Sequence, residues 1–270
     1  MQITQIRNAT IIVQFGEHRI LVDPMLADQH ALPPLRLSGG MRRNPTVPLP
    51  DGASAALDGV THCLITHCQR GHFDHLDRAG KRFLRERAIP VFCTAHDAPY
   101  LAARGLHVQV LDGGGPLPFL GGQISMVPCI HGHGMVGRLM EHGTGYVIEM
   151  PGEPSLYLAG DTVLTDGVRA ALARHRPAVS VLPAGGARFD LGGEIIMGPD
   201  QVLEFARLGC GQVVANHLEA LSHCAPTRAS LRKAARDAGL DGRVHVPDDG
   251  ASLSFGLSAR AEGIAAAELL

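Results

Sequence analysis

Four short segments of the sequence place histidine or aspartate directly after a run of apolar residues. The segments are CLITHCQRGHFDHLD (63–77), PCIHGHGMVG (128–137), LYLAGDTVL (156–164) and VVANHLEALSHC (213–224). An apolar run that ends in polar residues is typical of a buried strand in an α/β protein, and the ends of neighbouring strands meet at one sheet edge. Imidazole and carboxylate are the groups that hold zinc, iron or manganese. The four segments together therefore predict a metal site at a sheet edge.

The composition of the 270-residue chain agrees with this chemistry. Its fifteen histidines outnumber the three tyrosines, the eight phenylalanines and the absent tryptophan together. Aromatic platforms for stacking sugars or bases are therefore scarce. The formal net charge is −2, which argues against bulk neutralisation of nucleic-acid phosphates. We expect a small-molecule substrate and no nucleic-acid partner.

The sequence lacks the patterns of secretion and of membrane insertion. Its N-terminus does not show the basic, apolar and small-residue order of a signal peptide, and no run of eighteen apolar residues occurs. The six cysteines include no CxxC pair, which is typical of reduced thiols rather than of a disulfide framework or a thiolate zinc site. We expect a cytoplasmic protein with no membrane partner.

Short β-like runs come first, and β-like runs alternating with helical patterns follow. The predicted strands cover residues 11–15, 19–22, 63–66, 90–93, 108–111, 123–127, 146–149, 155–158, 179–182, 213–215 and 244–246. The predicted helices cover residues 77–87, 97–104, 166–175, 199–208 and 227–238, with Asp97, Asp166 and Thr227 as N-caps. This order indicates a mixed α/β layer protein. Segment 31–52 is long for a loop and rich in Pro, Gly and Arg, so we expect it to cover a site or a subunit contact.

In their order along the chain, these segments resemble the metallo-β-lactamase fold, and more closely its metal-dependent hydrolases similar to L-ascorbate-6-phosphate lactonase. The segments that carry the resemblance are IRNATIIV, RILVDPML, NPTVPLP, LYLAGDT, PAGGARF, NHLEALSHC with PTR after it, and VPDDG. The resemblance covers about residues 2–256 and implies one domain at 1–256 with a tail at 257–270. The implied fold is α/β, a four-layer αββα sandwich with the site at one edge between two sheets.

The first motif of that family is THxHxDH, and this chain departs from it. In one register Thr66, His67 and His72 match the motif. Gln69 then stands at the second histidine and Gly71 at the aspartate. We prefer this register because it keeps the junction of an apolar strand with Thr-His.

A second register places HFDH, residues 72–75, on the HxDH part of the motif. It restores a carboxylate, Asp74, and a further imidazole, His75. In the first register the same Phe73-Asp74 pair matches the aromatic-Asp that follows the motif, where the aspartate caps the next helix. Asp74 or His75 could reach a metal in either register.

The resemblance implies metal ligands at His67, His72, His131, Asp161 and His217. Further candidates near them are Gln69, His75, His133, Glu219 and His223. Glu219 would position His217 from outside the metal shell, and Asp23 of LVDP would support the site in the same way. The cofactor is a divalent metal, Zn²⁺ before Mn²⁺ or Fe²⁺, with one or two ions.

The resemblance implies hydrolysis of a small lactone, ester, amide or phosphoester by a metal-activated water. Asp161, Asp74 and His75 are the candidate catalytic groups, and the missing aspartate at position 71 predicts an atypical or single-metal site. Basic residues near the expected mouth would suit an anionic substrate: Arg7, Arg70, Arg138, Arg188 and Arg228. The alternative is a non-hydrolytic protein of this fold with a binding or regulatory role. A homo-oligomer is compatible with either function.

Overall fold

Two β-sheets form the centre of the protein in the computed structural model, which describes residues 1–36, 41–69, 71–134, 137, 140 and 143–257. The strands of the first sheet are β1 (Gln2–Arg7), β2 (Thr10–Phe15), β3 (His18–Val22), β4 (His62–Leu64), β5 (Pro90–Thr94), β6 (His107–Leu111) and β14 (Ser252–Ser254). The strands of the second sheet are β7 (Leu117–Phe119), β8 (Gly122–Pro128), β9 (Thr144–Glu149), β10 (Leu156–Leu158), β11 (Val179–Pro183), β12 (Gln212–Asn216) and β13 (Val244–His245). Their spatial orders are β14-β1-β2-β3-β4-β5-β6 and β13-β12-β11-β10-β9-β8-β7.

Each sheet joins an antiparallel part to a parallel part. In the first sheet β1, β2 and β3 form antiparallel pairs, and β3 to β6 run parallel. In the second sheet β7 to β10 are antiparallel, and β10 to β13 run parallel. The parallel strands β4, β10, β11 and β12 therefore bring their carboxyl ends, and the loops that follow, to one edge of the sandwich.

Helices cover the outer faces of both sheets. They are α1 (Ala53–Asp58), α2 (Arg78–Glu86), α3 (Ala98–Ala102), α4 (Asp166–His175), α5 (Pro199–Leu208) and α6 (Arg228–Asp237). Three apolar clusters show the layering: one joins the two sheets, one joins the second sheet to α4, α5 and α6, and one joins the first sheet to α2 and α3. The α/β four-layer αββα sandwich expected from the sequence is confirmed.

Side-chain caps define where several helices begin. Asp77 accepts a hydrogen bond from the Gly80 N–H at 2.7 Å at the start of α2, and Thr227 caps α6 as predicted. The predicted cap at Asp166 is wrong. Thr165 accepts from the Val168 N–H at 3.2 Å, and Asp166 is already the first helical residue, where its charge favours the N-terminal end of the helix dipole.

The described residues include no helix that is both long and apolar enough to cross a membrane. Most of the predicted tail, residues 258–270, lies outside the described residues, and so do residues 37–40 of the long segment. The described part of that segment packs beside the loop that follows β12. Leu32, Leu35 and Val47 contact the buried cluster of Met25, Ala220 and Leu221.

Candidate metal centre

The four chemistry-bearing segments meet at the shared edge of the two sheets. β4 runs into the loop that carries His67 to His75, and β8 leads to His131. Asp161 follows β10, and His217 directly follows β12 at a φ of 57°. The first of these segments belongs to the first sheet and the other three to the second sheet, so the site joins both halves of the sandwich.

Three imidazoles form one ligand group. His67, His72 and His131 are buried and each offers one ring nitrogen, all within 4.8 Å of one another. Their ring centroids are 4.4 Å apart for His67 and His72, 5.5 Å for His67 and His131, and 5.2 Å for His72 and His131. Such a facial arrangement of three nitrogens is typical of a zinc-type site.

Two carboxylates and two imidazoles form a second ligand group. Asp74, His75, Asp161 and His217 are all buried, and their ligand atoms also lie within 4.8 Å of one another. Asp161 Oδ2 lies 3.1 Å from His75 Nε2 and 3.4 Å from His217 Nε2. It also lies 3.5 Å from Nε2 of His131, which belongs to the three-imidazole group. Asp161 therefore stands between the two groups, where one carboxylate can serve both.

Protein groups behind the imidazoles fix the ring orientations. Asp23 Oδ2 pairs with His75 Nδ1 at 2.8 Å, so Nε2 of that ring faces the site. His131 Nδ1 donates to the Ile195 carbonyl oxygen at 2.8 Å, and Thr66 Oγ1 lies 3.0 Å from His67 Nδ1. Partners of this kind select the tautomer that leaves the inner nitrogen free to bind a metal.

The electrostatics of the three-imidazole group keep its rings neutral. Burial lowers the pKa of His67 well below its usual range and lowers the pKa of His72 to about 4. Burial also lowers the pKa of His131. Because metals bind the neutral imidazole, the three lone pairs are available near pH 7.

The four-residue group has the opposite character because its charges compensate one another. Burial opposes the charged form of His75, yet the carboxylates of Asp161, Asp74 and Asp23 raise its pKa well above the usual range. Burial likewise acts against ionised Asp161, but His75 and His217 lower the pKa of this carboxyl. The cluster of buried carboxylates requires positive charge beside it.

These residues fit a divalent metal. Among the described residues, Nε2 of His67 is buried and has no hydrogen-bond partner, and Nε2 of His217 lies 3.4 Å from carboxylate oxygens of Asp74 and Asp161. A buried polar atom without a partner costs free energy, and a cation between the two groups would remove that cost. The donor set of imidazole nitrogens and carboxylate oxygens suits Zn²⁺, Mn²⁺ or Fe²⁺.

The geometry favours the second register of the first motif, in which residues 72–75 match HxDH, over the first register, preferred on sequence grounds. Gln69 turns away from the imidazoles, and its amide donates to the His96 carbonyl oxygen at 3.1 Å and to Asp97 Oδ1 at 3.0 Å. Gly71, at a φ of 97°, lies in a tight turn that brings His72 back to the site. Asp74 and His75 then occupy the places that the first register assigned to Gly71 and His72. Asp74 is not the cap of the next helix, because Asp77 performs that role.

The remaining candidates lie outside both groups. His133 is exposed, and Glu219 forms an ion pair with Arg228 at 2.7 Å. His223 is buried with its ring stacked on Phe189 at a centroid distance of 5.7 Å. Asp23 supports the site from behind, as the sequence predicted. The Cys224 thiol, 3.7 Å from His217 Nδ1, is a contact that sequence reasoning missed, because no motif links a cysteine to the ligand seven residues earlier.

The basic residues proposed for an anionic substrate have protein partners where the structure describes them. Arg7 is fully buried and donates to the carbonyl oxygens of Met25 and Ala27. Arg188 pairs with Glu194 at 2.9 Å, and Arg228 pairs with Glu219 and with Asp249. Arg70 and Arg138 lie outside the described residues.

Comparison with known protein families and sequences identifies relatives of this chain. The model of the family described as β-lactamase superfamily domain matches residues 2–215. UPF0173 protein YddR of Bacillus subtilis (strain 168) is 34% identical over 261 residues, which cover 94% of this chain and 100% of that protein. A UPF0173 metal-dependent hydrolase of Xanthobacter autotrophicus is 31% identical over 205 residues, 71% of this chain and 74% of that protein.

Solved structures agree. Isothiocyanate hydrolase from Delia radicum gut bacteria has a TM-score of 0.86 and 31% identity, covering 95% of this chain and all of that one (100%). A structure described as a possible metal-dependent hydrolase from Veillonella parvula has a TM-score of 0.86 and 28% identity, covering 94% and 99% of the two chains. The chain therefore belongs to the β-lactamase superfamily and, within it, to the UPF0173 family, several members of which carry the name metal-dependent hydrolase.

Proposed function

We propose that this protein is a metal-dependent hydrolase that holds two divalent cations, Zn²⁺ first among them, and adds water to small isothiocyanates. His67, His72 and His131 would hold one ion. Asp74, His75 and His217 would hold the other, and Asp161 would serve both.

The observation that carries this proposal is the pair of ligand groups. Seven buried side chains from four strand ends supply their ligand atoms in two clusters, each within 4.8 Å. The non-hydrolytic alternative rested on the missing aspartate at position 71. Asp74 supplies that carboxylate from three residues further along, so the argument for lost activity no longer holds.

Two observations support the isothiocyanate class. The similarity to isothiocyanate hydrolase extends over 95% of the chain at 31% identity. Apolar side chains are also exposed in two segments that carry or support a ligand. Ile130, 46% exposed, precedes His131, and Leu191, 83% exposed, lies in the loop whose Ile195 carbonyl holds the His131 ring. An uncharged substrate with an apolar substituent suits this surface better than an anion does.

The reaction adds the elements of water across the C=N bond of the isothiocyanate. The product, a thiocarbamic acid, breaks its C–N bond to give an amine and carbonyl sulfide, so that R–NCS and H₂O become R–NH₂ and COS. When bound, divalent cations act as Lewis acids that lower the pKa of water and polarise the carbon under attack.

The chain's own residues orient the reactants. The Asp74 carboxylate is buried, with Oδ2 3.6 Å from His75 Nε2 and 3.4 Å from His217 Nε2, and it would accept the proton of the attacking water. Asp23 holds the His75 ring through Nδ1, and the Ile195 carbonyl does the same for His131, so neither ring has to reorganise during the reaction. The exposed apolar side chain of Ile130, next to His131 in the chain, would contact the apolar substituent of the substrate.

The test measures amine release from allyl and benzyl isothiocyanate by the wild-type protein, with metal content determined in parallel. D74N should lose about 10²–10⁴-fold in kcat, because it removes both the proton acceptor and an anionic ligand of the second ion. D166N is the matched control. Asp166 is an exposed aspartate at the start of α4 that belongs to neither ligand group, and its replacement should leave turnover unchanged.

The outcomes separate the parts of the proposal. Metal-replete protein that cleaves a lactone, ester, amide or phosphoester but no isothiocyanate would refute the substrate class and keep the hydrolase. Fewer than two equivalents of metal after dialysis against Zn²⁺ would refute the two-ion site. Equal turnover by D74N and wild type would remove Asp74 from the mechanism.

A further inference from the structure

One ligand imidazole differs from the others in the group that lies behind it. His75 has a carboxylate behind its outer nitrogen, His131 a backbone carbonyl and His67 a hydroxyl. Behind His217 stands a thiol, with Cys224 Sγ 3.7 Å from Nδ1. This distance is within the range of a hydrogen bond to sulfur, which is weaker than one to oxygen.

The surroundings of Cys224 leave little choice of partner. Its side chain packs against two apolar clusters, one around Ala220 and Leu221 and one around Ala187 and Ile195. Gly185 lies against it, since a Cβ built there would approach Sγ to 2.8 Å. Among the described residues, the Cys224 thiol forms a hydrogen bond with Nδ1 of His217.

The His217 ring, which the thiol contacts, is buried with its inner nitrogen between two carboxylates. His217 is 1% exposed, and its Nε2 lies 3.4 Å from Asp74 Oδ2 and 3.4 Å from Asp161 Oδ2. Its backbone is held separately, because its N–H donates to the Asn8 carbonyl oxygen at 3.0 Å and its φ is +57°. With the backbone fixed, the imidazole can still rotate about its Cβ–Cγ bond. The contact between Cys224 Sγ and Nδ1 restrains this rotation.

We propose that Cys224 is a positioning residue for the metal site, whose thiol holds the His217 ring so that Nε2 faces Asp74 and Asp161. The inference rests on the metal site proposed above, but not on the identity of the substrate. Because a thiol is a weaker partner than the carboxylate behind His75, the His217 ring is held less firmly than the His75 ring in the same ligand group.

The test is Zn²⁺ affinity, measured by competition with a chromophoric chelator on metal-free protein, for wild type, C224A and C224S. C224A should bind one of two equivalents about tenfold more weakly, the lower end of the effect of removing such a partner, with the other equivalent unchanged. C224S keeps a hydroxyl at this place and should recover most of the affinity.

The matched controls are C129A and C129S. Cys129 is also half-buried near the site, but its Sγ lies 3.0 Å from the Ala159 carbonyl oxygen rather than on a ligand ring. Thermal unfolding of each metal-free variant measures the purely structural cost. A loss of affinity in C224A alone, with metal-free stability no lower than that of C129A, supports the proposal.

Three results would overturn it. Wild-type affinity in C224A would show that the thiol does not hold the ring. Equal losses in C224A and C129A, or equal losses in C224A and C224S that follow the loss of metal-free stability, would show a packing effect only. Protein that binds two Zn²⁺ and hydrolyses none of the proposed substrates would refute the proposed function and leave this inference standing.

Discussion

Replacing Asp23 by asparagine should weaken metal binding although Asp23 is not a ligand. Three donors converge on this buried carboxylate: the Thr66 N–H on Oδ1 at 2.8 Å, the Thr66 hydroxyl on Oδ2 at 2.6 Å, and His75 Nδ1 on Oδ2 at 2.8 Å. Asparagine has the same shape but only one acceptor oxygen. If that oxygen stays on the Thr66 N–H, the amide NH₂ faces His75 Nδ1.

An NH₂ group in that place reverses the preferred tautomer of His75. The ring would move its proton to Nε2 in order to accept at Nδ1, and Nε2 would then have no lone pair for the metal. We expect D23N to bind the ion held by the His75 group about 10–100-fold more weakly. This corresponds to about 1.4–2.8 kcal/mol, since each tenfold change is about 1.4 kcal/mol.

The assay is chelator competition with Zn²⁺, accompanied by urea unfolding of the metal-free protein. D77N is the control. Asp77 is another buried aspartate, which accepts backbone N–H groups of Gly80 and Ala27 but contacts no ligand ring. D77N should lose about 1 kcal/mol of stability with unchanged affinity. The tautomer argument is refuted if D23N binds both ions as tightly as the wild type, or no more weakly than D77N does.

Three further predictions concern the metal, the backbone and the pH dependence. Removal of metal with EDTA should lower the melting temperature, because the bound metal contributes about 3 kcal/mol to the free energy of unfolding when its concentration is about a hundredfold above Kd. Added Zn²⁺ should restore the melting temperature, and a melting temperature that does not change with EDTA would contradict the metal site. G185A should destabilise the protein and its metal binding, because a Cβ there would lie 2.2 Å from the His217 carbonyl oxygen. G193A, with nothing within 4 Å of its Cβ, should be neutral, so equal unfolding midpoints for the two variants would refute this packing argument. Burial lowers the pKa of His223 to about 4 in the folded protein, so as the pH falls the unfolded state is protonated at this histidine before the folded state is. The metal-free protein should therefore lose stability as the pH falls from about 6.5 to 4. H223N should remove about 3 kcal/mol of that loss in urea titrations at several pH values, and parallel curves for the two proteins would show that His223 does not contribute.

The sandwich and most of the ligand set follow from sequence patterns, for a physical reason. Buried strands are largely apolar runs, and the polar residues that follow β8, β10 and β12 mark the sheet edge where His131, Asp161 and His217 meet. β1 was missed because QITQIR alternates polar and apolar residues and has no continuous run. β14 was missed because its sequence SLS has one apolar residue between two serines and therefore no apolar run.

The arrangement of the first motif could not be read from spacing, because spacing assumes a loop of fixed length. Four residues separate His67 from His72, where the motif has one. The extra length is taken up in a turn, with the His72 N–H donating to the Gln69 carbonyl oxygen at 3.0 Å and Gly71 at positive φ. The signal that could have found it is HFDH itself, which keeps the internal spacing of HxDH.

The pairing of β1 has a consequence for the order in which the protein can become complete. β1 lies between β2 and β14, so the second partner of the first strand is the last strand of the described residues. Until residues 252–254 have left the ribosome, one side of β1 presents unpaired N–H and C=O groups. Until then the first sheet has an exposed edge strand. A chain truncated before Ser252 keeps this edge exposed and should self-associate more than the full chain does.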